Sequence, residues 1–162
     1  ARSALLNQTN ARDVDIKFRF RVNKLAKGGA YYIYAVARKS GNNEYRPRVI
    51  LNPNGTISVQ ASIVVNGKES ALGSPVVVPG LQQSATSFFW FRAQVVGANP
   101  TTIRVKAWKA GSSEPSSWQW VKTVDNAVCQ TAGSLGLRTY VSSSSTAGSV
   151  VVRFDDYRVT SL

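Results

Sequence analysis

The chain has 162 residues, 43% of them hydrophobic, which is enough for one domain with a substantial core and argues against disorder. Twenty lysines and arginines against eight acidic residues give a net charge of +12, which favours polyanionic partners such as nucleic acid, anionic lipid or acidic polysaccharide. With no histidine and one cysteine, the chain cannot contain an internal disulfide, a zinc site built on His and Cys, or a nucleophile activated by histidine.

Hydrophobic and polar residues alternate along most of the chain, beginning with DVDIKFRFRV at residues 13–22. This period of two predicts β-strands with one buried face, and no segment keeps helical spacing over three turns. The predicted strands, in chain order, are residues 13–22, 30–39, 44–51, 56–65, 75–79, 87–96, 101–109, 118–124, 135–141 and 149–159. Asn54-Gly55 and Asn66-Gly67 predict hairpin turns, because both residue types tolerate a positive φ.

About ten to twelve short strands without a linker predict a single all-β domain over residues 1–162, an antiparallel β-sandwich or jelly roll. Pro47 predicts that strand 44–51 lies at a sheet edge or carries a bulge, because proline cannot donate to a ladder. The longest uncharged run, residues 70–91, contains prolines and polar residues. This run therefore predicts strands and a loop, with no membrane insertion.

Several strands carry basic residues at alternate positions, with aromatic residues nearby. Lys17, Arg19 and Arg21 share one face of strand 13–22, and such rows on paired strands lie about 5 Å apart. Guanidinium groups bind carboxylates and sulfates, and aromatic rings stack on sugars. We therefore expect one cationic sheet surface that binds a polysaccharide, with some preference for an acidic one. The candidate ligand-binding residues are Tyr32, Tyr34, Tyr45, Arg46, Arg48, Arg104, Lys106, Trp118 and Trp120.

The same rows of charge have other interpretations. Exposed faces of antiparallel sheets are routinely polar, and strand arginines often protect an edge from aggregation. Nucleic acid also attracts a basic chain, but no recognised binding motif accompanies the charge, so specific nucleic acid binding is not expected. The main alternative to glycan binding is a structural or adhesive domain of a phage virion or cell-surface protein, in contact with protein neighbours.

Few residues of the chain are suited to catalysis. Glycoside hydrolysis uses two acids that flank one bond. Glu44, Glu69 and Glu114 each lie beside a turn or loop, in separate segments. Asp155 and Asp156 are adjacent on a strand, so their side chains point to opposite faces. We therefore expect a binding or structural module and not an enzyme.

Several stretches of the sequence, taken in order, resemble a known family. They are DVDIKFRF, NEYRPRVIL, WFRAQVVGANPTTIRVKAW, AGSSEPSSWQ, GSLGLRTYV and VVRFDDYRV. Together they resemble the concanavalin A-like (laminin G-like) jelly-roll modules of secreted, actinobacterial-type multidomain proteins of bacteria. The resemblance implies a concanavalin A-like sandwich from a longer secreted, extracellular or cell-surface protein, with a role in glycan binding or adhesion.

The resemblance also implies a structural calcium near an aspartate of the last strand. The matching position lies within Phe154-Asp155-Asp156, and Asp155 is the candidate ligand. The first and last strands of a jelly roll are commonly neighbours, which makes Asp13 the second candidate. Two carboxylates with backbone carbonyls would suit calcium, whereas the alternative is that Asp155 or Asp156 pairs with Arg153 or another nearby base.

Overall fold

The computed structural model describes residues 1–162 and consists of twelve β-strands joined by turns and loops. In chain order the strands are β1 (Arg2–Ala11), β2 (Val14–Val22), β3 (Tyr31–Ser40), β4 (Asn43–Leu51), β5 (Thr56–Val65), β6 (Lys68–Ala71), β7 (Val76–Gln82), β8 (Phe89–Val96), β9 (Thr101–Lys109), β10 (Trp120–Val124), β11 (Gly133–Val141) and β12 (Val152–Ser161). No helix has the length and apolar character needed to cross a membrane.

The strands form two sheets in which every pairing is antiparallel. Sheet A has seven strands in the order β1-β11-β3-β4-β5-β6, and β7 pairs with the other half of the β5 edge. Sheet B has five strands in the order β10-β9-β8-β2-β12. The inner faces of the two sheets share one hydrophobic core. The predicted all-β antiparallel sandwich is therefore confirmed.

The position of the core follows from the alternation within each strand. In β2, Ile16 and Phe18 are completely buried, whereas Lys17 and Arg19 remain partly exposed on the outer face. Phe18 packs against Phe91 of the neighbouring β8, with ring centres 4.9 Å apart. Burial contributes about 25 cal/mol for each Å² of apolar surface removed from water, so the apolar face of each strand turns inward. The charged rows are left on the two outer faces.

The structure differs from the sequence prediction in two respects: it contains two strands that were not predicted, and one strand predicted at a sheet edge lies inside the sheet. The alternation does not reveal β1 and β6, because both lie at sheet edges with most side chains exposed. β4, which contains Pro47, lies between β3 and β5, so the prediction of an edge strand is wrong. The register irregularity falls on β3, between Ala37 and Ser40. The hairpin turns at Asn54-Gly55 and Asn66-Gly67 are confirmed.

A buried arginine joins the loops at one end of the sandwich. Arg38 lies in β3, and none of its side chain is exposed to solvent. Its five hydrogen bonds go to the carbonyl oxygens of Arg12, Gly97 and Cys129, to Thr101 Oγ1 and to Asp13 Oδ1. These partners come from the β1–β2, β8–β9 and β10–β11 loops and from the start of β9. Burial lowers the pKa of Arg38, but its acceptors satisfy the guanidinium and hold the segments together.

We expect Arg38→Met to lower the free energy of unfolding by about 3 kcal/mol or more, because removing one side of a buried charged network leaves its acceptors unsatisfied. Urea unfolding followed by tryptophan fluorescence measures this change. The control is Arg2→Met, which removes an exposed arginine that is in no ion pair and should change stability by less than about 0.5 kcal/mol. Equal effects of the two substitutions would contradict the role assigned to Arg38.

Candidate functional site

Strand register places two rows of side chains next to each other on the outer face of sheet A. In the first row Arg138 of β11 lies opposite Tyr34 of β3, which lies opposite Arg48 of β4. In the second row Tyr140 lies opposite Tyr32. These rows surround a hollow of about 400 Å³, which we call the tyrosine groove. Its lining residues are Tyr32, Tyr34, Arg48, Glu69, Ala71, Arg138 and Tyr140.

The aromatic side of the tyrosine groove consists of three tyrosine rings. The Tyr32 ring lies 6.1 Å from the Tyr34 ring and 5.8 Å from the Tyr140 ring, at angles of 18° and 34°. Tyr140 is 37% exposed and Tyr32 is half-buried, whereas Tyr34 is only 2% exposed. Burial raises the pKa of Tyr34 to about 12, so its phenol stays neutral. Tyr32 and Tyr140 therefore provide the aromatic surface that faces solvent.

A hydrogen-bonded network fixes the polar side of the groove. Glu69 of β6 accepts hydrogen bonds from Arg46 at 2.7 Å, from Arg48 at 3.0 Å and from Ser62 at 2.6 Å. Arg48 also donates to the side-chain oxygen of Gln60, at 2.9 Å from Nε. The Arg48 guanidinium carbon lies 5.2 Å from the centre of the Tyr32 ring, within cation–π range. The groove is therefore already ordered in the free protein.

Arg138 is the base of the tyrosine groove that has no carboxylate partner. Its Nη1 donates to Ser3 Oγ of β1 at 2.9 Å, and its Nε is buried without a hydrogen-bond partner. Buried donors are rarely left unpaired in proteins, so this guanidinium has spare capacity for an acceptor. The sequence prediction missed Arg138, Tyr140 and Glu69. The alternation of Arg138 and Tyr140 within strand 135–141 was the signal that could have identified the first two.

The predicted site residues divide between the two outer faces and the core. Tyr32, Tyr34, Arg46 and Arg48 meet in and beside the tyrosine groove, as described above. Arg104, Lys106 and Trp118 belong to sheet B and its β9–β10 loop, on the opposite face of the sandwich. The prediction of one cationic surface made from all these rows is therefore wrong. Local alternation fixes the face within a strand but not the sheet to which the strand belongs.

Two predicted ligand contacts lie inside the protein. Tyr45 is fully buried in the core, where its hydroxyl accepts a hydrogen bond from Gln130 at 3.1 Å. Trp120 is 6% exposed, and its indole N–H donates to the Ser74 carbonyl at 3.0 Å. Assigning Tyr45 and Trp120 to a ligand site is therefore wrong. Each has an internal partner for its polar atom, and neither reaches a surface hollow.

The two aspartates predicted to share a calcium ion are far apart. Asp155 lies opposite Arg19 in β2, whereas Asp13 precedes the first residue of β2. Asp13 is six positions before Arg19 in the chain, which corresponds to about 20 Å along an extended strand. Asp13 accepts hydrogen bonds from Arg12, Arg38 and Gly97 N–H, and Asp155 pairs with Arg19. A calcium site made from both carboxylates is therefore wrong, because oxygens already committed to guanidinium groups do not fit the ion.

On the outer face of sheet B, one carboxylate gathers three cations. Glu114, in the β9–β10 loop, bonds Arg92 at 2.6 Å, Lys17 at 2.9 Å and Lys106 at 3.0 Å. Burial acts to raise the pKa of Glu114, but hydrogen bonds from these three bases outweigh it and lower the pKa from 4.5 to about 2. Trp118 lies over this cluster, 4.7 Å from Lys106 Nζ. The cluster fixes the loop against the sheet and covers Lys106, which is only 5% exposed.

No family model and no curated protein sequence matches the chain. Among solved structures, the carbohydrate binding module CBM66 from Bacillus subtilis has a TM-score of 0.58 and 12% identity, over 95% of this chain and 78% of that one. The CBM2 module of Lactobacillus casei BL23 phage J-1 evolved Dit has a TM-score of 0.57 and 8% identity, over 97% and 66%. Scytalido-glutamic peptidase with a transition state analog inhibitor has a TM-score of 0.54 and 12% identity, over 98% and 79%.

These likenesses extend over nearly the whole chain and confirm the concanavalin A-like jelly-roll sandwich. At identities of 8 to 12% they show the fold alone. The three proteins also differ in kind, since two are described as binding modules and one as a peptidase. One fold can host unrelated functions, so the side chains of the tyrosine groove are more informative about function than the fold is.

Glu114 should stabilise the protein in a pH-dependent way. Its pKa is about 2 in the folded protein and about 4.5 in the unfolded chain, so the unfolded chain binds its proton first as the pH falls. We expect the stability difference between the wild type and Glu114→Gln to be complete above about pH 4.5 and to disappear towards about pH 2. Urea unfolding at a series of pH values measures it. Asp125→Asn, which removes an exposed acid that is in no ion pair, is the control, and a constant Glu114→Gln difference would contradict this account.

Proposed function

We propose that the chain is a non-catalytic carbohydrate-binding module and that sugar rings bind in the tyrosine groove. The observation that carries the proposal is the pair of adjacent rows, Tyr140–Tyr32 and Arg138–Tyr34–Arg48, on one outer face. Sugar rings have apolar faces that stack on aromatic rings, and hydroxyl groups that bind ionised side chains. Both requirements meet within a hollow of about 400 Å³, which is within the range of small-ligand sites.

The order of the groove before binding supports the proposal. Arg48 and Glu69 are held to each other, and Gln60 holds Arg48 from the other side. Hydroxyl groups of a sugar can therefore bind to donors and acceptors that are already fixed, without a large loss of side-chain entropy. Two similar structures, the carbohydrate binding module CBM66 from Bacillus subtilis and the CBM2 module of phage J-1 Dit, agree with this use of the fold.

The groove is better suited to binding than to hydrolysis. Glu69 is its single acid, and both Arg46 and Arg48 bind this carboxylate. A general acid needs an available proton near neutral pH, and hydrolysis of a glycosidic bond commonly needs a second carboxyl group on the other side of the bond. We therefore assign the groove a binding role without catalysis.

Arg138 gives the groove a preference for acidic sugars. Arg46 and Arg48 both pair with Glu69, and Arg46 also pairs with Glu44, so each already has a carboxylate partner. Arg138 has no carboxylate partner, and the hydrogen bond of its guanidinium goes from Nη1 to the Ser3 hydroxyl. A uronate carboxylate or a sulfate group beside a sugar on Tyr32 would give this guanidinium an ionic partner. The net charge of +12 would strengthen the attraction at low salt.

A glycan-binding role suits a secreted or cell-surface location, and we propose that this module acts beside other domains of a longer protein. The likeness to a module of phage J-1 Dit makes an adhesive virion protein the second candidate setting. In that setting a protein neighbour would cover part of sheet A. The tyrosine groove would then be occluded in the assembly, whereas a free module leaves it open to a glycan.

The direct test is to find a ligand on a broad glycan array and to measure its affinity by isothermal titration calorimetry. We expect Tyr32→Ala and Tyr140→Ala each to weaken binding about tenfold, because each removes one stacking surface. Arg138→Gln should weaken binding of oligosaccharides that contain uronate or sulfate and should leave neutral ones unchanged.

The matched control is Trp118→Ala, which removes a half-buried aromatic residue from the opposite sheet and should not change affinity in the groove. Retention of no glycan on the array at low salt would refute the proposed function. Equal losses from Trp118→Ala and Tyr32→Ala would show that the groove is not the binding surface.

A further inference from the structure

The outer face of sheet B carries a pair of arginines that no local acid neutralises. Arg21 of β2 lies directly opposite Arg153 of β12, and neither is in an ion pair. Like charges directly opposite each other destabilise a sheet. A hollow of about 120 Å³ lies between them, and we call it the arginine site. Its lining residues are Arg21, Asn23, Ala85, Val151 and Arg153.

The other bases on the same strand differ from Arg21. Lys17 is bound to Glu114 at 2.9 Å. Arg19 is bound to Asp155 at 2.7 Å and to Asp156 at 2.8 Å. Of the three bases in this row, Arg21 is therefore the one without an acidic partner.

A second pair of opposed cations lies further along the same two strands. Arg158 of β12 lies opposite Lys17, and Arg158 has no carboxylate partner. A hollow of about 460 Å³ next to this pair is lined by Lys17, Trp90, Asp156, Tyr157 and Arg158. Four residues of β2 separate this pair from the arginine site, which corresponds to about 14 Å of strand. One extended chain could occupy both hollows.

The geometry points to a docking surface for an anionic polysaccharide along β2 and β12, with a carboxylate or sulfate group bound between Arg21 and Arg153. A guanidinium group presents a planar fork of N–H donors that matches such an anion, and two facing arginines can share it. A less charged part of the same polysaccharide would lie past Asp155 and Asp156, and one of its sugar rings would contact Trp90 in the second hollow.

The charge pattern favours a polysaccharide over nucleic acid. Asp155 lies between the two hollows and Asp156 lines the second one, and these two carboxylates against the one guanidinium of Arg19 leave a net negative charge there. A nucleic acid strand has a phosphate at every nucleotide, about 3.4 Å apart along a duplex strand, so phosphates would lie against these carboxylates. A polysaccharide in which neutral sugars separate the charged ones avoids that repulsion. This site is independent of the tyrosine groove, because the two sites lie on opposite faces of the sandwich.

The test uses the whole chain in a Tyr32→Ala background, which weakens the tyrosine groove, and an octasaccharide that alternates glucuronate with N-acetylglucosamine. Titration calorimetry at about 50 mM salt should detect binding of this octasaccharide, since screening is weak there. We expect Arg21→Gln or Arg153→Gln to weaken it about tenfold. Circular dichroism should show both variants folded, and Arg153→Gln should raise the melting temperature at low salt because it removes a like-charge contact.

The matched control is Arg104→Gln. Arg104 is on the same outer face and is also in no ion pair, but it lies opposite Gln94 and Val121 and not opposite another base. The substitution should leave the affinity for the octasaccharide unchanged. An equal loss from Arg104→Gln would show diffuse attraction and overturn the proposal. Tighter binding of a DNA duplex, full displacement by equimolar inorganic sulfate, or no binding of the octasaccharide in the Tyr32→Ala background would also overturn it. If only the binding of neutral glycans were missing, the proposal for the tyrosine groove would fail and the proposal for the arginine site would stand.

Discussion

The burial of one face of each strand, in a fixed register, is the constraint on which both surfaces of this protein depend. In β3, Tyr31 and Ile33 are completely buried in the core, and the intervening Tyr32 and Tyr34 therefore lie on the outer face. A shift of one residue would exchange the two sets of side chains and move Ile33 and Ala35 from the core to the outer face. The cost of that exchange keeps β11, β3 and β4 in the register that forms the tyrosine groove.

Ion pairs hold nine of the twenty lysines and arginines in place, and the other bases carry most of the excess positive charge. Of the eight acidic residues, only Asp125 is in no ion pair. Each of the other acids pairs with a lysine or an arginine. Exposed ion pairs contribute little to stability, so the main effect of these pairs is to fix the positions of the basic side chains. Arg138 borders the tyrosine groove on sheet A, and Arg21 and Arg153 border the arginine site on sheet B, and none of the three has an acidic partner. Their positions beside these hollows make them the candidate contacts for an anion.

Local alternation predicted the fold class and part of the site. It placed Arg46 and Arg48 on one face of β4, and the same alternation excludes Tyr45, the residue before Arg46, from that face. The separation of Arg104 from Arg48 was not predictable, because pairing between distant strands decides sheet membership. The register of β2 with β12, which places Asp155 far from Asp13, is likewise set by long-range pairing and by a bulge near residue 156.

Chemical-shift mapping with uniformly ¹⁵N-labelled protein would show whether a glycan binds to the outer face of sheet A. In a titration with a neutral oligosaccharide ligand, we expect the amide shifts to concentrate on β3, β4 and β11, around Tyr32, Arg48 and Tyr140. Shifts confined to sheet B, or spread evenly over both faces, would contradict this expectation.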